Sequence, residues 1–192
     1  MAAAMVVISA STKAAMVANN VGAVAVNTAK AVSPDFMASI EVGGDTAEAE
    51  SEAANDLTTA ATITASETTA PWQDIKAALD AIKAASEATI QVVSKLEAAA
   101  AKPTDYADEA TIAVKEAVAA VKCAAADTCT ASQNASYALN ALSRMEVGII
   151  PSWSILQRLH EMQDWAERYV AEHTPVVAAA TTAIDMEPAT TD

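Results

Sequence analysis

From Thr104 to Val147 the chain carries neither glycine nor proline. A run of that length without a breaker is far too long for a strand and fits only a helix. Within it, Val114, Val118, Val121, Ala125, Thr128, Ser132, Ala135, Leu139 and Leu142 recur at alternating spacings of four and three, the seam of a helix that packs on other helices. Thr104 and Asp105, just after Pro103, supply a capping start. The middle of the seam is small in side-chain size, so a neighbouring helix can come close.

The breakers that do occur set the organisation. Ser33-Pro34-Asp35, Gly43-Gly44, Ala70-Pro71, Lys102-Pro103, Gly148 with Pro151, and Thr174-Pro175 divide the chain into lengths that suit helices. Five helical segments are expected, near 3–32, 46–67, 71–101, 104–147 and 151–173. The third has its own seam, Trp72, Ile75, Leu79, Ile82, Ser86, Thr89, Val93 and Leu96, with charged flanks at Lys76, Asp80, Lys83 and Glu87. A turn at 101–104 would fold the third segment against the fourth as an antiparallel hairpin. The expected fold is therefore all-α, an elongated alanine-rich helical bundle of about five helices with that hairpin at its centre. Residues 1–32 form an apolar N-terminal helix, 33–70 an acidic, Thr/Ala-rich turn and helix, 71–173 the hairpin with a C-terminal amphipathic helix, and 174–192 an extended tail. The sequence at 75–85 echoes that at 114–124, as either a duplicated helix or a shared heptad would.

Composition then limits the core. Hydrophobic residues make up 53% of the chain but aromatic residues only 4%, and much of the remainder is alanine. Apolar burial contributes roughly 25 cal/mol per Å², so an alanine-lined core is thin, and stability must come from length, close helix approach or a partner. Self-association, or binding to another helical protein, is the expectation. Eleven basic against 25 acidic residues give a net charge of −14, which argues against nucleic acid and anionic lipid surfaces as partners. No Lys or Arg lies between Lys30 and Lys76, and all three arginines, Arg144, Arg158 and Arg168, fall in the last third.

The first segment raises the question of lipid. Met1 to Ser11 is apolar without a basic start, so no cleavable signal peptide is expected. Ala14 to Ala29 is uncharged but falls short of the roughly twenty residues that span a bilayer, and it contains Asn19, Asn20 and Asn27. Burial within a bundle is the favoured expectation, with a membrane contact through residues 14–29 as the alternative, in which case 1–32 should be removable without unfolding the rest.

Trp153 to Val170 concentrates two tryptophans, Arg158, Arg168 and His160, with Ile155, Leu159, Met162, Ala166, Tyr169 and His173 along one face. That face is wide enough to plug a bundle end or dock on another subunit. The candidate interface residues are Trp72, Leu79, Val93, Ala125, Ser132, Leu139, Trp153, Leu159, Trp165 and Tyr169.

Chemistry-bearing patterns are weak. His160 and Asp164 lie four apart, the spacing of an ordinary helical charge pair, and His173 reads as a favourable charge at a helix C-terminus. Cys123 and Cys129 turn roughly 240° apart on one helix, so they cannot bridge each other within it. There is no glycine-rich phosphate loop, His-Glu-x-x-His or nucleophile elbow, and Gly43-Gly44-Asp45 does not match a calcium loop. No catalytic, cofactor or metal site is expected. The function expected is a non-enzymatic structural or interaction protein, a helical subunit of a larger assembly. The alternatives are a membrane-active helical protein and a binder of an apolar ligand, or an unorthodox enzyme, using the Trp153–His173 helix.

Overall fold

The computed structural model describes residues 2–32, eleven helical positions between 76 and 94, and residues 108–185. Among the described residues the fold is all-α. Its three continuous helices are α1 (Ala2–Val32), α2 (Asp108–Glu146) and α3 (Trp153–Asp185). The segment expected at 46–67, Trp72, and the turn at 101–104 lie outside the described residues.

Among the described helices, α1 is the central one. It packs along both α2 and α3, which scarcely touch each other. Its first turns, Ala4 to Ile8, meet Ala138, Ala141 and Leu142 of α2 and Leu159 of α3. Farther along, Ala10 to Ala18 meet Ala131 and Ala135 of α2, Ala166 and Tyr169 of α3, and Leu79. Hence α1 runs antiparallel to α2 and parallel to α3. From Ala4 to Asn19 it is buried nearly all round, with Val6 and Lys13 exposed and Ser9 and Met16 half-buried on one narrow stripe. A helix apolar on nearly every side is one that burial surrounds, and this segment is the core helix of the described residues. It is also long and apolar enough, over Ala2–Thr28, to cross a membrane.

The seam of α2 differs in phase from the sequence expectation. Its most deeply covered line is Val114, Ala117, Val121, Ala124, Thr128, Ala131, Ala135, Ala138 and Leu142, with Ala125 and Ala141 also buried. Every second member has moved back by one residue. Val118, Ser132 and Leu139 are the half-buried flanks instead. Close approach explains the choice. Alanines let α1 sit nearer than Val118 or Leu139 would, and at Gly22 an added Cβ would already stand 3.5 Å from the Ala124 Cβ. Among the described residues few large side chains are fully covered, chiefly Ile8, Leu159, Val7 and Val121.

Two further differences concern α3. It does not stop at Thr174 but continues through Pro175 to Asp185. Proline forfeits one backbone hydrogen bond and crowds the carbonyl four residues back, and the helix carries on across it into the alanines at 178–180, the strongest helix formers beyond it. His173 consequently sits inside the helix, not at its C-terminal dipole. Its Nδ1 lies 2.9 Å from the Tyr169 carbonyl and its ring stacks on Tyr169.

Candidate functional site

Two features of the surface and inter-helix space carry side chains that the packing alone does not explain: an aromatic ladder facing α2, and an apolar tip where α2 turns into α3.

The ladder is built by four-residue spacing on α3. Trp165 and Tyr169 stack with centroids 5.6 Å apart, and Tyr169 and His173 stack at 4.1 Å. Tyr169 is buried against α1, and its hydroxyl donates a hydrogen bond to the Asp127 carboxylate of α2. Burial first, then the Asp127 charge and the bond to it, with a smaller contribution from Cys123, hold the phenol proton well above the usual tyrosine range. This contact ties α2 to α3. A second tie lies nearer the connector, where the Arg158 guanidinium rests 4.8 Å from the Tyr137 ring centroid.

The tip begins where α2 ends. Gly148 has φ +81°, a conformation that costs glycine little. Its N–H donates to the Met145 carbonyl (3.1 Å), and that of Ile149 donates to Arg144 (3.0 Å). This pair of bonds is a Schellman cap. Pro151 then disfavours helix at Ile150, and α3 starts beyond Ser152, whose carbonyl accepts from Ile155 and Leu156. The result is a tight turn that points apolar side chains outward. Ile150 is 89% exposed, Trp153 79% and Val147 75%, with Ile149 and Leu156 also exposed.

The candidate interface residues divide accordingly. Leu79, Ala125, Leu159 and Tyr169 are buried within the chain, while Val93, Ser132, Leu139 and Trp165 are half-buried. Leu139 and Trp165 pack at the edges of the core clusters. Trp153 alone of the described candidates stands in solvent, and Trp72 lies outside the described residues. Sequence reasoning missed Ile149 and Ile150, although a pair of isoleucines before a proline in a turn is a readable signal, since turns are normally polar.

Elsewhere, His160 Nε2 and Asp164 Oδ2 are 3.6 Å apart on an exposed face, the expected i,i+4 pair. Gln157 donates to Glu161 and Gln163 to Glu167 along the same helix. Cys123 and Cys129 are free thiols, and the Gln133 amide lies 3.6 Å from the Cys129 sulfur. Among the described residues no three His, Cys, Asp or Glu side chains gather into a metal-holding group. No protein family, curated protein or solved structure gives a significant match to this chain.

Proposed function

We propose that this protein is a non-enzymatic helical subunit of a homo- or hetero-oligomeric assembly, such as a virion, filament or envelope-associated particle. The observation that carries this reading is the distribution of its large apolar side chains. The core around α1 is mostly alanine, while Ile112, Val147, Ile149, Ile150, Trp153 and Val176 stand in solvent. A monomer gains little from a core of small residues and exposes apolar surface of the kind that marks interaction sites. The finer architecture belongs to the same reading. A fourth and fifth helix, with the stretch around Leu79 folded back on α2 as an antiparallel hairpin, would complete a bundle whose outer faces meet other copies or another helical protein. No catalytic step, metal or cofactor is part of it.

Light scattering after size-exclusion chromatography, across a concentration series with far-ultraviolet circular dichroism on the same fractions, tests the proposal. A helical oligomer of defined mass is the expected result. A compact helical monomer at all concentrations, melting cooperatively, would overturn the homo-oligomeric form of the reading. If such a monomer also formed no complex with any helical partner protein, the hetero-oligomeric form would fall as well.

A further inference from the structure

We infer that the tip formed by Val147, Ile149, Ile150, Trp153 and Leu156 is a peripheral docking point for a zwitterionic phospholipid surface, inserting its side chains into the headgroup and upper acyl layer. Four observations select lipid over other occupants. The first is shape and size. A single convex turn presenting five large apolar side chains is small beside the roughly 20–30 residues that each partner contributes to a stable protein interface. A bilayer can surround such a turn on every side.

The second is the backbone. Lipid demands that polar main-chain groups be satisfied internally. Here the N–H groups of Gly148 and Ile149 are bonded to α2 carbonyls and Pro151 has none to satisfy, which fits a shallow seat where the turn's other main-chain groups meet the hydrated headgroup layer. The third is side-chain type. Trp153, the most exposed large aromatic side chain among the described residues, sits at the base of the turn beside isoleucines, the arrangement that suits an aromatic ring at headgroup depth.

The fourth is charge. The chain as a whole is acidic, which opposes an anionic membrane, yet two of its three arginines flank this turn. Arg144 lies about one turn before Val147, and Arg158 about a turn and a half beyond Trp153. Both are exposed, and the Arg144 guanidinium matches in chemistry the phosphate that zwitterionic headgroups carry, while that of Arg158 rests on the Tyr137 ring. Glu146 and Glu161 are the nearby acids among the described residues, so the charges that these place around the turn are close to balanced. With screening over about 8 Å at physiological ionic strength, only charges near the tip act on the surface it meets.

The inference extends past the assembly reading, since a monomer could dock equally well, and it draws Val147, Ile149, Ile150 and Trp153 away from that reading, which then rests on the alanine core with Ile112 and Val176. Its test uses the full chain floated on a density gradient with phosphatidylcholine vesicles, beside the double variant Ile149→Asp/Ile150→Asp. Both replaced side chains are exposed, so circular dichroism and the melting curve should be unchanged. The full chain is expected to float, and the variant's partition coefficient to fall at least about tenfold. Brominated phosphatidylcholine should quench the tryptophan fluorescence of the full chain, and Trp153→Phe should remove that quenching. No flotation of the full chain would overturn the proposal, and so would equal flotation of the two, which would move the contact to α1. Loss of an oligomer by the double variant without lipid, with vesicle binding of the full chain absent, would assign the tip to a second copy instead.

Discussion

Tyr169 is where single-residue chemistry is most informative. It joins three helices, lying against α1, stacking on its α3 neighbours and bonding to Asp127 on α2. Its folded-state proton affinity is raised above that of the unfolded chain. For an acid that is neutral in its protonated form, such a rise stabilises the fold fully below the unfolded value. That contribution is lost as pH climbs past about 10, where the unfolded phenol ionises first. Subtracting the absorbance titration at 295 nm of Tyr169→Phe from that of the full chain isolates this phenol. The difference is expected to emerge only above the ordinary tyrosine range, and a difference centred at about 10 would mean that Tyr169 is not held as described. The same substitution should cost about 0.5–1.5 kcal/mol in a neutral-pH melt through the lost hydrogen bond. Ser11 is the opposite case, the one buried side-chain polar atom among the described residues with no hydrogen-bond partner. It is small enough to fit between close helices, and its hydroxyl stays unsatisfied.

Among the helices, α2 shows both the reach and the limit of reading a sequence. Its existence, its length and half of its seam follow from the spacing of Val114, Val121, Thr128, Ala135 and Leu142, all of which are buried. The other half falls one residue away from the expected line, because each residue turns the helix by about 100° and alanines occupy both neighbouring faces. With so little contrast between sides, the bulkier Val118 and Leu139 look like core from sequence, while the packing prefers the alanines beside them. The tip is half-legible. Trp153 is identifiable as an exposed anchor, but Ile149 and Ile150 are hidden when the breakers around them are treated as mere punctuation. The end of α3 misleads for a similar reason, since Pro175 reads as a stop when it is only a weak point. The shifted seam predicts that Ala131→Leu, which forces bulk under α1, destabilises by about 1–3 kcal/mol. Ser132→Leu, one place along on the half-buried flank, should cost about 1 kcal/mol or less. Equal losses in chemical denaturation would restore the seam expected from the sequence.

At the scale of the molecule, the arrangement places α1 between two helices that hardly meet without it. Removing residues 1–32 should therefore abolish the cooperative melt and lower the helical ellipticity per remaining residue, because α2 and α3 would lose the surface they share. A deletion that melts cooperatively with full ellipticity per residue would show α1 to be dispensable. The placement also has a consequence for how the protein comes into being. A ribosome delivers the central helix before either of its flanking partners, and α2 starts only at Asp108. An apolar, membrane-length segment therefore waits for α2 and α3 while a long intervening stretch is translated. Its proper contacts all carry large sequence separation, so loop closure comes before their reward, and folding is slow and exposed to aggregation. Shielding of the newborn chain, by a chaperone or by transient contacts of α1 with itself, would favour reaching the native state.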